Sequence, residues 1–307
     1  MDLRALRYFI ETVRRDSFTQ AAQALNVTQS TISKMVRQLE DEVGAPLLIR
    51  QARGVRLTDV GRVVFEQGQH TLGAMQGLQR EVADLTRLHS GELTLGLPPM
   101  VNGFFPPLIQ RFRARHPGVM LHVQEAGGDV IEARVAAGEL EVGVSVLPLH
   151  APDAAQAGAK LATAELGRFP ICLVATADAP WTKLKRPGLA HLDGLPVVVP
   201  AEGFALGRHL RQAWQRAGAS PKVVAQSSQW DFLLSMAESG MGTAVLPQPL
   251  LQRLRLPEHL VVRALPAREL SWVVAHVWAA DRYLGHAARA WLACCGVKQV
   301  GEPGRER

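Results

Sequence analysis

The chain has 307 residues, of which 47% are hydrophobic, and a formal net charge of +6. This length and composition can fill one small domain and one larger, two-lobed domain. The N-terminal residues MDLRALR lack the apolar core of a signal peptide, and no apolar run approaches the roughly 20 residues that span a bilayer. These features argue against a secreted or membrane-spanning protein, so we expect a cytoplasmic one. The positive charge favours a polyanionic partner, although it would also suit an anionic membrane surface or serve solubility alone.

Residues 17–43 predict two short helices joined by a tight turn. The first runs from about Thr19 to Leu25, and its small residues allow a close, steep crossing. The second has an apolar stripe at helical spacing, formed by Ile32, Val36, Leu39 and Val43. Its other side is polar and cationic and includes Gln29, Ser30, Ser33, Lys34 and Arg37. A DNA-recognition helix needs this arrangement, since its first residues reach base edges while its other face is anchored in a core. An ordinary amphipathic helix pair is the alternative.

A short hairpin is predicted next. Two apolar runs, residues 47–49 and 55–57, flank Arg50-Gln51-Ala52-Arg53-Gly54, and a glycine in the turn is typical of a hairpin. Between Val43 and Thr58 the sequence has Arg50, Arg53 and Arg56 and no carboxylate. The hairpin is therefore predicted to be a positively charged wing that contacts phosphates or a narrow minor groove.

With these motifs the sequence resembles the LysR-type transcriptional regulators. The matching residues are Leu3-x2-Leu6-x-Tyr8-Phe9, Ser17-Phe18-Thr19-x-Ala21-Ala22, Thr28-Gln29-Ser30-x2-Ser33-x5-Leu39-Glu40, Gly44 and Arg53-Gly54-Val55-x-Leu57-Thr58-x2-Gly61. The resemblance implies a winged helix-turn-helix domain over residues 1–58 and double-stranded DNA as a partner. The DNA contacts expected from the residues and the resemblance together are Thr28, Gln29, Ser30, Ser33, Lys34, Arg37, Arg50 and Arg53.

A long helix is predicted after the hairpin, from an N-cap at Thr58 to about Leu88. Its apolar residues repeat as in a coiled-coil seam, formed by Met75, Leu78, Val82 and Leu85. The repeat covers only about two heptads, so packing on its own domain is the alternative. In the LysR family this linker helix, here residues 59–90 with a hinge at His89-Ser90-Gly91, joins two subunits. The resemblance therefore implies a homodimer and suggests a homotetramer.

From Glu92 onward strands and helices alternate, which is typical of parallel sheets covered by helices. The predicted strands are Leu93–Leu97, Val119–Gln124, Val142–Val146, Ile171–Thr176, Val197–Pro200, Val223–Ala225 and Ala244–Leu246. The predicted helices lie around Phe104–Arg115, Val130–Ala137, Leu206–Ala217 and Trp230–Ser239. The resemblance extends over this part. It implies an α/β effector-binding domain of two lobes, similar to periplasmic binding proteins, over residues 91–296, with a tail at 297–307.

Ligands of such sheets bind beyond the carboxyl ends of strands, where helix N-termini and free amides gather. The expected effector contacts are Pro99, Met100, Val101, Asn102, Ser145, Phe204, Ser227, Gln229 and Met241. Pro99 departs from the family, which often has Ser or Thr near this position, because proline offers neither hydroxyl nor amide. We therefore expect the effector to be bound mainly by the amides of residues 100–102 and by Ser227 and Gln229. Plain loop or N-cap chemistry is the alternative for each residue.

Two further motifs, Gly96-Leu97-Pro98-Pro99-Met100 and Ser228-Gln229-Trp230-Asp231-Phe232, are similar to CidR-like members of the family. That subgroup is associated with acetate or pyruvate overflow, so the similarity implies a small carboxylate as effector.

An enzyme or a pure solute-binding protein are the competing classes. The run 143–147 lacks the last glycine of a nucleophile elbow, and Gly240-Met241-Gly242 lies between a helix and a strand in the wrong order for a dinucleotide site. The histidines form no evident ligand cluster, and Cys172, Cys294 and Cys295 have neither metal-ligand nor redox spacing. We therefore expect no enzyme, no metal and no cofactor. The N-terminal motif argues against a pure solute-binding protein.

Overall fold

Three helices pack around one apolar core at the start of the chain. The computed structural model describes residues 1–51, 54–86, 91–101, 103, 105–150, 159–201, 204–252 and 254–297, with the side chains of residues 50, 83, 85 and 86 excepted. The helices are α1 (Leu3–Arg14), α2 (Phe18–Ala24) and α3 (Gln29–Val43). Their shared core contains Leu6, Phe9, Ile10, Ala21, Ala22, Ile32, Val36, Leu39 and Leu47. The predicted stripe of the second helix is therefore buried, with Val43 partly buried at its end.

A hairpin and a long helix follow this core. Strands β1 (Leu48–Arg50) and β2 (Val55–Leu57) pair antiparallel. Helix α4 (Asp59–Thr86) has 28 residues and is about 42 Å long at 1.5 Å per residue. It begins where predicted, because the Thr58 hydroxyl accepts a hydrogen bond from the Gly61 amide at 2.8 Å.

The remaining chain forms one twisted sheet covered by helices. Its strands are β3 (Gly91–Leu97), β4 (Val119–Glu125), β5 (Val142–Leu147), β6 (Leu161–Thr176), β7 (Pro196–Pro200), β8 (Lys222–Ser227), β9 (Thr243–Pro247), β10 (Leu260–Ala264) and β11 (Ser271–Ala279). Its α-helices are α5 (Phe105–Arg115), α6 (Gly128–Ala137), α7 (Ala205–Ala217), α8 (Trp230–Glu238), α9 (Gln248–Leu251) and α10 (His286–Cys294). Short 3-10 helices span Pro99–Val101, Pro180–Lys183 and Leu189–Leu192.

Strand β6 divides this sheet into two lobes. Its first part, Leu161–Pro170, pairs with β11, which in turn pairs with β5. Its second part, Ile171–Thr176, pairs with β9 and β10. Lobe I therefore contains β3, β4, β5, β11 and the start of β6, and lobe II contains the end of β6 with β7 to β10. One strand thus crosses between the lobes and belongs to both.

The structure corrects the predicted sheet. Within each lobe the βαβ strands are parallel, as expected: β3 with β4 and β5, and β7 with β8 and β9. The sheet is nevertheless mixed, because β6, β10 and β11 pair antiparallel. The predicted strand 171–176 is only the last part of β6. No bounds were predicted for β10, β11 or α10. Strand β11, which carries His276, has an almost continuous apolar sequence because it is buried along nearly its whole length.

The side of α4 that carries Gly73 and Arg80 docks on lobe I. Any side chain at Gly73 would collide with the carbonyl oxygen of Ala137 at the end of α6. The Arg80 guanidinium donates to the Gly138 carbonyl at 3.2 Å and lies 3.6 Å from the Glu141 carboxylate. Near the end of the helix, the Asp84 carboxylate accepts hydrogen bonds from the Tyr283 hydroxyl and the His286 amide. The linker helix is therefore fixed to its own effector domain by polar contacts.

His276 is buried in the core of lobe I. It is 0% exposed and makes edge-to-face ring contacts with Phe105 and Trp291, at centroid distances of 6.3 and 6.0 Å. Burial lowers the pKa of His276 to about 4. The imidazole is therefore neutral in the folded protein at neutral pH.

This burial predicts an acid-sensitive stability. An unfolded chain protonates His276 below about pH 6.5, whereas the folded chain protonates it only near a pKa of about 4. The contribution of neutral His276 to the free energy of unfolding is fully present above the pKa of the unfolded chain. It is lost as the pH falls toward the pKa of the folded chain, by on the order of 3 kcal/mol in total. We expect His276→Phe to remove this part of the pH dependence. The measurement is the free energy of unfolding against pH, followed by tryptophan fluorescence. An unchanged slope in the variant would contradict the assignment.

Candidate functional site

The second helix of the N-terminal core presents a polar, cationic start to solvent. Gln29, Ser30, Lys34 and Arg37 are exposed and Ser33 is half-buried. The opposite side of α3 is fixed in the core by Ile32, Val36 and Leu39. The first turn of α3 has no acidic residue, so the positive end of the helix dipole adds to the charge of Lys34. This surface can bind a polyanion without losing its own packing.

Thr28 has a structural role in this surface. Its hydroxyl caps α3 by accepting a hydrogen bond from the Thr31 amide at 3.2 Å, and it also contacts the Ser30 hydroxyl at 2.9 Å. The predicted contact residue therefore sets where the helix begins. The Gln29 and Lys34 side chains lie near that start, and neither caps the helix among the described contacts.

The wing is held beside α3 by two carboxylates from outside the hairpin. Glu40 on α3 accepts hydrogen bonds from the Leu47 and Leu48 amides at 2.8 and 3.2 Å. Asp16, in the turn after α1, accepts one from the Val55 amide at 2.7 Å. The hairpin has no acid of its own, but the fold brings Asp16 to it, which sequence reasoning missed. Asp16 directly follows Arg14 and Arg15, so the sequence gives no sign that its carboxylate instead binds the hairpin.

The wing arginines are only partly described. Arg56 is exposed on β2. Arg53 lies outside the described residues, and so does the side chain of Arg50. Their predicted DNA contacts therefore remain sequence-based.

The apolar seam predicted on α4 is exposed. Met75, Leu78 and Val82 have relative exposures of 39%, 57% and 51%, and the side chain of Leu85 is outside the description. At about 100° per residue, this seam lies opposite the side that carries Gly73, Arg80 and Asp84, which docks on lobe I. The seam therefore faces away from lobe I and is largely exposed to solvent.

A small cavity lies between the lobes. It is lined by Pro98, Met100, Gly128, Val146, Phe204, Ala205, Leu206 and Trp272 and has room for about 20 Å³, about one water molecule. Met100 and Phe204 were predicted effector contacts, and they come from lobe I and lobe II respectively. The helices α6 and α7 begin at this cavity, with Gly128 and Ala205 facing each other. The cavity therefore lies where two of the predicted effector contacts, one from each lobe, come together.

Several predicted cleft groups are already engaged. The Ser145 hydroxyl is buried and donates to the Glu132 carboxylate at 2.5 Å, and burial raises the pKa of Glu132. The Val101 side chain is in the core and its amide donates to the Pro98 carbonyl at 3.0 Å. The Ser227 hydroxyl accepts from the Gln229 amide at 3.1 Å. The Ser145 hydroxyl and the Val101 amide therefore offer no free donor to an effector. The prediction that the Val101 amide binds the effector is wrong.

The other predicted contacts differ in position. Pro99 is half-buried in the turn that carries Met100, and Asn102 lies outside the described residues. Met241 is 49% exposed and directly precedes Gly242, which lies against Pro196 at the start of β7. The cavity is at the other end of β7, about 13 Å away at 3.3 Å per residue. Met241 is therefore dropped from the effector site.

Sequence reasoning missed the polar contacts that join the lobes. Asp129 on α6 pairs with Arg208 on α7, and the His209 ring lies 3.2 Å from the Pro148 carbonyl oxygen. An acid in the first turn of one predicted helix and an arginine in the first turn of another gave no signal, since nothing in the sequence indicates that these helices meet.

Two functional parts therefore define the class of the protein: a winged helix-turn-helix and a two-lobed ligand-binding domain, joined by a long helix. Residues 3–62 match the family described as "Bacterial regulatory helix-turn-helix protein, lysR family", and residues 86–298 match "LysR substrate binding domain". A relative from Bacillus subtilis, "Uncharacterized HTH-type transcriptional regulator YwbI", is 35% identical over 95% of both chains.

Solved structures agree with this match. A full-length OxyR variant from Pseudomonas aeruginosa is 25% identical, with a TM-score of 0.65 over 98% of this chain and 100% of that one. Full-length CbnR, a LysR family regulator solved with its target DNA, has the same fold at 17% identity, with a TM-score of 0.62 over 96% of this chain and 99% of that one.

The chain belongs to the LysR family of transcriptional regulators. It is a DNA-binding regulator with a domain for a small-molecule effector, and not an enzyme. Among its described residues, no helix is long and apolar enough to cross a bilayer.

The contact between Asp16 and the wing gives a prediction. Asp16 has a positive φ of 50°, which Asn tolerates and Ala does not. Asp16→Ala should lose the hydrogen bond to the Val55 amide and cost about 2 kcal/mol of stability. We expect faster hydrogen exchange at that amide and weaker binding to all DNA sequences. Asp16→Asn is the control, because it keeps both the acceptor and the backbone conformation. Equal exchange rates in the two variants would contradict the role of Asp16.

Proposed function

We propose that α3 reads operator bases through Gln29, Ser30, Ser33 and Lys34. The observation that carries the proposal is the exposed, polar and cationic start of α3 on a helix whose other side is buried. Side-chain amides, hydroxyls and ammonium groups are the groups that hydrogen-bond base edges in the major groove. Thr28 contributes by setting the start of the helix.

Phosphate contacts are proposed for Arg37 and for the wing arginines Arg50 and Arg53. Arg37 is exposed two turns into α3, away from the helix start that is proposed to enter the groove. The wing consists of two paired strands, and its sequence contains three arginines and no acidic residue. Such contacts position the protein and make binding salt-dependent, but they carry no sequence information.

Alanine substitutions should separate these roles. Gln29→Ala should cost about 1–3 kcal/mol and relax one operator position, whereas Arg37→Ala should weaken binding to all sequences and reduce the salt slope by about 1. Gel shifts on selected operator variants at several salt concentrations measure both effects. Gln38→Ala is the matched control, since it lies on the same helix about 13 Å further from its start. If Gln29→Ala behaves like Gln38→Ala, base reading by this face is wrong.

A homodimer along α4 is part of the proposal, and the family resemblance extends it to a homotetramer. It is supported by the exposure of Met75, Leu78 and Val82 on the side of the helix opposite its docked side. Leu85, whose side chain is not described, continues the seam in the sequence. Two recognition helices would then read two half-sites of one operator.

Leu78→Glu tests this seam. It places a charge where the dimer would bury it, so we expect loss of dimerisation and of operator affinity together, each by at least about tenfold. Sedimentation equilibrium and gel shifts measure the two losses. Gln76→Glu adds the same charge two positions away, off the seam, and should leave both properties intact. A stable dimer of the Leu78→Glu variant would show that the seam is not the dimer interface.

The effector is proposed to be a small organic anion bound between the lobes, near Met100 and Phe204. This is supported by the small size of the cavity and by the two helix N-termini, of α6 and α7, that begin at it. An anion touching both lobes would favour one lobe separation over another, and this difference can reorient the DNA-binding domains. A regulator acting on bacterial DNA works in the cytoplasm. Membership of the CidR-like subgroup stays a prediction.

A further inference from the structure

An ion pair crosses the cleft between the lobes. Asp129 lies in the first turn of α6 in lobe I, and Arg208 lies in the first turn of α7 in lobe II. The Asp129 carboxylate contacts one terminal nitrogen of the Arg208 guanidinium. The pair sits beside the closest approach of the two helices, where a Cβ on Gly128 would lie 3.8 Å from the Ala205 Cβ. The lobes are therefore joined by charge at the mouth of the proposed effector site.

Each partner of this pair keeps one buried polar atom without a hydrogen bond. The side chains of Arg208 and Asp129 are 15% and 29% exposed, and Arg208 Nη2 and Asp129 Oδ1 are buried with no partner among the described residues. A guanidinium binds a well-placed carboxylate through two parallel hydrogen bonds. Asp129 therefore satisfies only part of what Arg208 can donate.

The cavity adjoins the pair along the chain. Gly128 precedes Asp129, Leu206 lies two residues before Arg208, and both line the cavity. The rest of the lining is apolar: Pro98, Met100, Val146, Phe204, Ala205 and Trp272. A ligand with its carboxylate on Arg208 would place its remaining atoms against this apolar wall. Because the cavity has room for only about 20 Å³, the lobes must part for a ligand to enter, and a short chain requires the smallest opening.

A second carboxylate on the ligand would be disfavoured. Glu132 lies one turn after Asp129 on α6, is 2% exposed, and accepts hydrogen bonds from Ser145 and from the His150 amide at 2.5 and 2.8 Å. Asp129 and Glu132 already put two acidic groups on the lobe I side against one arginine on the lobe II side. Among the described contacts of this cluster, Arg208 is the one cation, so a dicarboxylate would add an unpaired like charge, whereas a monocarboxylate would replace Asp129 at Arg208.

We propose that Arg208 anchors the effector and that Asp129 occupies it in the ligand-free protein, so that a short-chain monocarboxylate binds by displacing Asp129. This rests on the proposed function, because it identifies the anion-binding group of the same cleft. Displacement breaks a contact between the lobes and replaces it with one made through the ligand. The exchange therefore changes the lobe separation, which is the property that a regulator needs.

The test uses the full-length protein and sodium propionate as the probe. Propionate should raise the melting temperature of the wild type by mass action, whereas propionamide, a neutral molecule of the same shape, and succinate should raise it much less. Arg208→Gln should abolish the response. Asp129→Asn should lower the half-saturating propionate concentration by about tenfold, a gain that a misfolded variant cannot produce. Arg168→Gln, which removes an exposed ion pair with Glu165, is the control and should respond like the wild type.

Several results would overturn the proposal. No response of the wild type at tens of millimolar propionate would do so, as would an equal loss in Arg168→Gln. An equal gain of Asp129→Asn for propionamide would mean that the ion pair only holds the lobes closed. Gel shifts on DNA selected from a random pool test the proposed function separately. A protein that binds DNA but ignores propionate is still a regulator with a different effector group, whereas one that binds no DNA refutes the proposed function itself.

Discussion

The two sides of α4 impose the constraint on which the rest of the architecture depends. One side must lie close enough to lobe I for Gly73 to touch the Ala137 carbonyl and for Arg80 to reach Gly138 and Glu141. The other side leaves Met75, Leu78 and Val82 in solvent. The same helix extends about 42 Å between lobe I and the N-terminal core, so it is the element that connects the two. In the proposed dimer, α4 therefore docks on lobe I with one side and meets its partner with the other.

The lobes are constrained in a similar way by strand β6. Its first part belongs to the sheet of lobe I and its second part to the sheet of lobe II, so the lobes stay joined at this strand whatever their separation at the cleft. Contacts across the cleft then decide how far apart the two lobes lie there. In this structure they include the pair of Asp129 with Arg208, the approach of Gly128 to Ala205, and the His209 contact with Pro148. Each is local and polar or small, which suits contacts that a ligand has to break.

Local patterns predicted much of the site on the DNA side. The stripe of Ile32, Val36 and Leu39 and the exposed start of α3 follow from helical periodicity, and the cap at Thr58 follows from residue chemistry. The cleft was predicted only in part. Met100 and Phe204 line it, but the Ser145 hydroxyl is engaged with Glu132 and Met241 lies at the other end of β7. Loops at strand ends can be found in a sequence, whereas the direction of a hydroxyl and the end of the sheet at which a turn lies depend on distant partners.

The sequence by itself determined the winged helix-turn-helix, the long helix with its apolar seam, and the βαβ pattern of each lobe, because periodicity, caps and turns act over a few residues. Only the tertiary structure decided which side of α4 docks, that Asp16 and Glu40 hold the wing, and that Asp129 meets Arg208. These contacts join residues that are far apart in the chain, 79 positions for the last pair. Their formation depends on the antiparallel crossing of β6 and on the packing of whole elements, and no local pattern encodes that.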